Sequence, residues 1–325
     1  MAGEHIARYV GFLWRGTAEQ GKVCTLNMLE NKSLKSKARN TVIHLIVLLL
    51  GLASLFPLIN IVAISFSGSA AVVANRVGLW PVNFTLLAYE EILKDSQFWV
   101  SFRISVLRVA ITLILNLVVT VPMAYAMTRS PKEFRGRNLY MNLLIFAMLF
   151  NGGMIPNFIW IRMLGMLNSV WALILPATVP VFSVILTMNF FNGIPRALEE
   201  AAMIDGAMPY QVLLHVMVPC AKPCLATIAL FSIVGSWNDF FSGLVYMQKI
   251  EYYPIMTYIQ SLSINIQQMI EQGMMNKAAL ENIGDLSNRN LNAAKIVVAV
   301  VPLLIIYPFL QKYLITGMVM GSVKE

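Results

Sequence analysis

The segment best suited to binding another protein lies at residues 193–219, GIPRALEEAAMIDGAMPYQVLLHVMVP. Small residues in it would let a partner's surface approach the backbone closely, and carboxylates beside them can pair with a basic partner. An amphipathic helix lying at a membrane interface is the alternative, and the residues alone favour neither. The small residues are Ala201, Ala202 and Gly206, and the carboxylates are Glu200 and Asp205.

Local signals predict that this segment folds as two short helices joined by a tight turn. Pro195 suits the first turn of a helix, and the string RALEEAAMID after it is rich in helix-forming residues. Gly206 is expected to end that helix, because glycine tolerates a left-handed cap. A second helix, PYQVLLHVMV, is expected to end at Pro219. We call residues 193–219 the elbow.

A second set of residues is suited to binding a sugar, which requires aromatic faces and a few polar groups in a mostly apolar pocket. Trp237, Asn238 and Asp239 are consecutive in an apolar segment, and ionisable residues in a membrane usually face a cavity or a partner. A break in another apolar segment brings Asn151 and Trp160 to a comparable depth. These five residues are candidates for a substrate path. The alternative, a polar helix-packing cluster with a partner protein, has at least as much support for Asn238 and Asp239.

The composition excludes several classes of protein. Apolar residues make up 58% of the 325 positions and charged residues 12%, and the mean hydropathy is +0.69. A typical soluble domain has about 45–50% apolar residues and about 25% charged residues. A soluble enzyme, a disordered chain and a nucleic-acid binder are therefore excluded. The three cysteines and three histidines have no metal-ligand spacing, so no metal site and no cofactor are expected in this chain.

Six segments are apolar and long enough to cross a bilayer, which takes about 20 residues. The chain is therefore predicted to be an all-α integral membrane protein. The third segment is interrupted by Asn151, two glycines and Pro156, a break that lipid tolerates only where protein or a wet cavity covers the backbone. The predicted spans are about 41–64, 104–127, 139–163, 169–191, 224–247 and 294–316.

Basic residues predict the orientation of the spans. With the amino terminus inside, fifteen of the 24 Lys and Arg residues fall in inner segments and five in outer segments, as the positive-inside rule requires. Both termini and the elbow are then cytoplasmic. The predicted organisation is a cytoplasmic tail (1–40), a six-span domain (41–317) and a second cytoplasmic tail (318–325).

The elbow resembles the EAA motif of ABC-importer permeases. That motif is EAA-x3-G-x9-I-x-L-P, and the elbow departs from it only in having Val216 and Val218 for Ile and Leu. From about residue 41 to 325 the chain is similar to maltose-type carbohydrate permeases, most of all to the branch for polysaccharide or aldouronate uptake. The supporting strings are VPMAYAMTRSPKEFRGRN (121–138), NGGMIPNFIWIRMLGMLNSVWALILP (151–176) and ALFSIVGSWNDFF (229–241).

This resemblance implies a type I ABC-importer permease in a bacterial plasma membrane. A second homologous permease would complete the path for an oligosaccharide or polysaccharide fragment, and an extracellular solute-binding (lipo)protein would deliver it. Two ATPase subunits would hold ATP and Mg, so this chain would not be an enzyme. The tail GMVMGSVKE resembles the family's tail, but it ends in Glu325 where a glycine is common. The implied ATPase contacts are Glu200, Ala201, Ala202, Asp205, Gly206 and Pro219 in the elbow, and Gly321, Val323 and Lys324 in the tail.

Two other functions compete with an importer. One is a proton-coupled secondary transporter in which Asp239 binds the proton, although such carriers commonly have inverted repeats and matched broken helices, and this chain has one broken helix and no convincing repeat. The other is an intramembrane enzyme, for which the spans hold no nucleophile–base pair or metal constellation. Neither function accounts for the elbow.

Overall fold

A computed structural model describes residues 34–150, 152–262 and 288–322, and within these ranges the chain is helical and contains no strand. The predicted all-α class is confirmed. The helices are α1 (Leu34–Ser65), α2 (Ser69–Val73), α3 (Leu87–Lys94), α4 (Ser96–Thr128), α5 (Arg137–Leu149), α6 (Met154–Met163), α7 (Val170–Ile174), α8 (Val181–Asn192), α9 (Arg196–Ile204), α10 (Pro209–Cys220), α11 (Lys222–Asn238), α12 (Phe241–Tyr246), α13 (255–262) and α14 (Asn288–Ser322).

Helix length and hydropathy allow six membrane spans in the described residues. Three single helices are long and apolar enough, at Asn40–Ser65, Ser96–Thr128 and Arg289–Phe309. Three further spans arise if each bent pair of helices counts as one: α5 with α6, α7 with α8, and α10 with α11. The number agrees with the six predicted spans.

The third span is broken as predicted, but the fourth is broken as well, so the expectation of one broken helix is wrong. Both breaks lie where the sequence contains Gly or Pro. Helix α5 ends at Leu149 and α6 begins at Met154, with Gly153 at a φ of +90° between them. Pro156 lies inside the first turn of α6, where a backbone N–H has no helical partner. Helices α7 and α8 are bent by 41°, and Pro180 precedes the first residue of α8.

The fifth span differs from the predicted helix over 224–247. Helix α11 ends at Asn238, and Asp239 has an extended backbone before α12 begins at Phe241. The Oδ1 atom of Asp239 accepts a hydrogen bond of 3.1 Å from the backbone N–H of Ser242. An acidic side chain that bonds to the first turn of a new helix therefore divides the apolar run, which hydropathy alone does not register.

Helix α4 is the central element of the fold. It has 33 residues, about 50 Å at 1.5 Å per residue, and it packs against α7, α8 and α11. Six polar residues at helical spacing lie on its buried face, all at most 4% exposed. This stripe consists of Ser101, Ser105, Arg108, Thr112, Asn116 and Thr120.

Several of these polar groups bond to neighbouring elements. Ser105 Oγ accepts from the N–H of Ile255 at 2.8 Å, and the Asn116 amide lies 2.9 Å from Ser232 Oγ in α11. Because lipid offers no competing partner, such bonds fix the relative positions of helices. The stripe thereby joins α4 to α11 and to the start of α13.

The amino-terminal end of α4 is held by a buried ion pair. Asp95 caps the helix by accepting from Phe98 N–H at 3.1 Å, and it also accepts from Lys295 Nζ at 2.7 Å and from Tyr258 Oη at 2.9 Å. Burial by itself raises the pKa of Asp95, but the hydrogen bonds from Lys295, Phe98 and Tyr258 outweigh it, and the pKa is lower than usual. Three separate parts of the chain, at α4, α13 and α14, thus meet at one carboxylate.

Replacing this carboxylate should destabilise the fold. Asp95→Asn leaves the ammonium of Lys295, which is 4% exposed, without its counter-charge, and we expect a loss of roughly 2–4 kcal/mol. The measurement is thermal unfolding of the purified protein in mild detergent. Glu91→Gln is the control, because its pair with Lys94 lies at the surface and is worth under about 1 kcal/mol. Equal melting temperatures for the two variants would contradict the prediction.

Candidate functional site

The elbow consists of α9 and α10, joined at Gly206. The backbone of Gly206 has a φ of +84°, and its N–H donates to Met203 O at 3.0 Å while Ala207 N–H donates to Ala202 O at 2.9 Å. This pair of bonds is a Schellman motif, which satisfies the last carbonyls of α9 and reverses the chain. The predicted helix end at Gly206 is confirmed.

Helix α10 continues through the proline that was expected to end it. It begins at Pro209, widens to a π-turn over Leu213–Met217 and ends at Cys220. Pro219 has no N–H to donate to His215 O, and its ring would clash with that carbonyl in a regular α-helix. The π-turn precedes the proline and accommodates it, so the chain bends only at Ala221, where α10 and α11 meet at 82°.

One face of the elbow packs against the rest of the chain. Ala202, which is 4% exposed, lies in a cluster with residues of α4, α8 and α10. The small side chain of Ala202 is used for close packing inside the chain, and its contact with a partner protein stays a prediction. The buried members of this cluster are Val121, Ala124, Tyr125, Val184, Phe191, Ala202, Val212, Leu213, Val216, Met217 and Ala221.

The opposite face of the elbow is exposed and combines apolar and acidic groups. Ile204 is 86% exposed, the highest exposure among the large apolar side chains of the elbow. Glu200, Ala201, Asp205 and Gly206 are exposed on the same elbow, and their contact with a partner stays a prediction. Further exposed apolar side chains of the elbow are Met203, Met208, Tyr210 and Leu214. We call this the outer face of the elbow.

A polar link between the elbow and α4 was not anticipated. Glu199 accepts a hydrogen bond from Tyr125 Oη at 2.7 Å and forms an ion pair with Arg129. The guanidinium of Arg129 also lies over the Tyr125 ring, 4.2 Å from its centroid. Glu199 immediately precedes the EAA string, and Arg129 directly follows the second span, but nothing in the sequence pairs residues 70 positions apart.

The predicted sugar-binding residues differ in exposure. Trp237 is 4% exposed, and its Nε1–H donates to Ala299 O at 3.1 Å. Trp160 is 64% exposed on α6, and Asn238 is exposed at the end of α11. The placement of Trp237 between α4 and α14 favours the helix-packing interpretation for that residue, whereas a role of Trp160 and Asn238 in a substrate path stays a prediction.

Asp239 is ion-paired within the chain. Arg108, in the middle of α4, donates to Asp239 Oδ2 at 2.5 Å and to its backbone carbonyl at 3.1 Å. The side chain of Arg108 is 3% exposed and that of Asp239 28%. The charge of Arg108 thereby holds the end of α11.

Three of the predicted site residues, Asn151, Val323 and Lys324, lie outside the described residues. Gly321 falls within α14. Within the described ranges no group of three or more His, Cys, Asp and Glu side chains is placed to hold a metal ion. The elbow is therefore the most completely defined candidate site.

Residues 98–319 match the family model of the binding-protein-dependent transport system inner membrane component. The chain is 37% identical to Protein LplC of Bacillus subtilis (strain 168), over 84% of this chain and 90% of that one. It is 34% identical to the polygalacturonan/rhamnogalacturonan transport system permease protein YtcP of the same organism, over 90% of this chain and 100% of that one.

Solved structures agree with these matches. The chain resembles one from a bacterial ABC transporter involved in the import of the acidic polysaccharide alginate, with a TM-score of 0.77 and 32% identity. The match covers 86% of this chain and 98% of the other. A chain of the alginate transporter in complex with an alginate pentasaccharide-bound periplasmic protein has the same fold, with a TM-score of 0.54 and 16% identity over 85% of this chain and 94% of that one.

The turn of the elbow should depend on the glycine at its tip. Gly206→Ala meets no atom within 4 Å, but the left-handed backbone costs a side chain about 1–2 kcal/mol. We expect faster hydrogen exchange at residues 203–207 and unchanged overall melting. Gly235→Ala is the control, since Gly235 is helical with open space around it; the same acceleration in both variants would contradict the prediction.

The buried pair between Arg108 and Asp239 can be tested by comparing a single variant with a double variant. Asp239→Asn leaves Arg108 buried without a counter-charge, and we expect a loss of about 3–5 kcal/mol in stability. Arg108→Met combined with Asp239→Asn removes both charges and should recover at least half of the loss in melting temperature, measured in detergent. A double variant no more stable than Asp239→Asn would show that the two charges do not compensate each other.

Proposed function

Because the chain belongs to the family of binding-protein-dependent transport system inner membrane components, we propose that it is a permease subunit of an ATP-driven ABC importer of carbohydrate. It is an inner-membrane component with helices able to span the bilayer six times. Transport is its function, and we propose that ATP and Mg are bound by partner subunits. The observation that carries the proposal is the elbow, whose inner face is packed and whose outer face is free.

The proposed cargo is an oligosaccharide or polysaccharide fragment. Support comes from relatives described as transporting polygalacturonan and rhamnogalacturonan, and from the resemblance to a transporter of alginate. Both descriptions include acidic sugars, so uronate-containing fragments are the first cargo to test. A periplasmic binding protein accompanies the alginate transporter, and we propose that an extracellular solute-binding protein delivers the sugar to this chain.

We propose that the outer face of the elbow is the contact for an ATPase subunit. Ile204, Met208 and Tyr210 offer apolar area, with Ile204 at 86% exposure, while Glu200 and Asp205 offer charge to a basic partner. An apolar centre with polar groups at its edge is the usual composition of a protein interface. This contact requires the elbow to be cytoplasmic, which also places the tails 1–40 and 318–325 inside the cell. Gly321, Val323 and Lys324 are further proposed ATPase contacts.

A second permease is proposed to complete the translocation path. Large apolar side chains of α5 and α6 are exposed in the single chain, among them Phe146, Ile155 and Trp160. Exposed aromatic and aliphatic groups fit either lipid or a helical partner. Trp160 and Asn238 are the described residues that would face the sugar, while Asp239 is occupied by Arg108.

A proton-coupled carrier that uses Asp239 receives no support from this geometry. Arg108 contributes two hydrogen bonds to Asp239, one to its side chain and one to its backbone. A proton-coupling carboxylate must bind and release a proton as transport proceeds, but this carboxylate is already paired with a buried arginine. The family to which the chain belongs is one of binding-protein-dependent transport.

Arginine substitutions at the neighbouring Ala201 and Ala202 distinguish an effect on ATPase docking from an effect on folding. Ala201→Arg adds bulk to the exposed outer face, so we expect at least a tenfold loss of ATPase co-purification, about 1.4 kcal/mol of binding, with normal melting. Ala202→Arg forces a charge into the packed cluster, so we expect a lower yield of folded chain. Docking is measured by affinity purification in mild detergent, and unchanged co-purification with Ala201→Arg would refute the docking proposal.

The function itself is tested with the complex from native membranes. A tagged chain should co-purify with an ATPase and a second six-span permease, and the eluate should hydrolyse ATP in a vanadate-sensitive manner. Liposomes containing this complex and the binding protein are then offered trigalacturonate, an alginate trisaccharide and maltotriose. ATP-dependent accumulation of any of these supports the importer. A chain isolated without an ATPase, after controls for detergent loss, would contradict it.

A further inference from the structure

Helix α9 is attached to the rest of the chain by few groups. Its one buried residue is Ala202, a side chain too small to resist sliding. Leu198 adds partial apolar contact to the same cluster. The polar attachment is Glu199, which bonds both Tyr125 and Arg129. Glu199 is therefore the directional connection between the elbow and the end of α4.

The three side chains form a closed arrangement that we call the clamp. Arg129 is the residue at which α4 ends, and it is held over the Tyr125 ring by a cation–π contact. Glu199 accepts from both Tyr125 Oη and Arg129. The side chains of Arg129 and Glu199 are 21% and 16% exposed, so the pair is better shielded than a surface salt bridge of small energetic value.

The clamp differs mechanically from the apolar packing beside it. Apolar contacts are non-directional, whereas charge-assisted hydrogen bonds have a defined geometry that fixes the two groups relative to each other. Helix α4 also carries Arg108, whose partner Asp239 lies at the break between α11 and α12. If α9 moves and carries α4 with it, the ion pair between Arg108 and Asp239 passes the movement on to the break between α11 and α12.

We infer that Glu199 is a positioning residue that makes the elbow and α4 move as one body, so that ATPase closure is transmitted to the spans. This inference rests on the proposed function, because it assumes that an ATPase binds the outer face of the elbow. Glu199 itself does not contact that ATPase. Its role is to hold the elbow against Arg129 and Tyr125 while force is applied from outside.

The test measures ATP hydrolysis without any sugar, using Mg-ATP as the probe. When the clamp is intact, closure of the ATPase must also move the membrane-spanning helices, and this slows ATP hydrolysis. Glu199→Gln removes the charge but retains an acceptor for Tyr125, and should release this resistance. We expect hydrolysis by the purified complex to rise about fivefold, within the usual range of coupling between sites, while ATPase co-purification stays unchanged. If Glu199→Gln only damaged the fold, both ATP hydrolysis and ATPase co-purification would fall.

A charge-swapped pair provides the rescue. Arg129→Glu should raise hydrolysis as Glu199→Gln does, and Arg129→Glu combined with Glu199→Arg should return it to within about twofold of the original, a residual below 0.5 kcal/mol. Glu90→Gln, on an exposed position of α3, is the matched control and should leave hydrolysis unaltered.

The outcomes separate the two proposals. Normal hydrolysis in Glu199→Gln, or hydrolysis that stays raised in the swapped pair, overturns the clamp. Loss of ATPase co-purification in Glu199→Gln also overturns it, since Glu199 would then belong to the docking contact. An unaltered chain that recovers no ATPase refutes the proposed function instead.

Discussion

A charge buried among apolar helices must be paired, and this constraint organises the protein around α4. The helix has a charged group at its start, its middle and its end, and each is paired with a distant part of the chain. Asp95 pairs with Lys295, Arg108 with Asp239, and Arg129 with Glu199. Leaving any one unpaired would cost several kcal/mol. The three pairs therefore fix where α14, the end of α11 and the elbow lie along α4.

The same constraint gives the elbow two different faces. Consecutive residues of a helix point about 100° apart, so Glu199 and Ala202 face α4 and its neighbours while Glu200 and Ala201 face outward. Two neighbouring alanines of the EAA string therefore differ in a way that their letters do not show: Ala202 packs closely within the chain, whereas Ala201 is exposed and belongs to the proposed contact with a partner. Val216 is buried inside the elbow, whereas Pro219 is half-buried and its contact with an ATPase stays a prediction.

The membrane-spanning part combines apolar surfaces with a polar interior. The stripe of polar residues on α4 is almost completely buried, and Trp237 uses its indole N–H to bond Ala299 in α14. These groups hold helices together where water cannot compete for their bonds. They lie within a single chain, whereas the proposed sugar path lies between two chains. This is why polar character in a span is a poor guide to substrate contact.

Sequence alone determined the class of this protein, the number of its spans and the turn of the elbow. Those features are local: about 20 apolar residues cross a bilayer, and Gly206 ends a helix because its own backbone adopts a φ of +84°. The partners of Arg108, Lys295 and Glu199 became known only from the tertiary structure. Each pair joins residues 70 to 200 positions apart, and which face of a helix meets which neighbour depends on packing of the whole chain. Hydropathy records that a residue is charged or apolar, but only the assembled helices decide whether it meets lipid, a partner protein or its counter-charge.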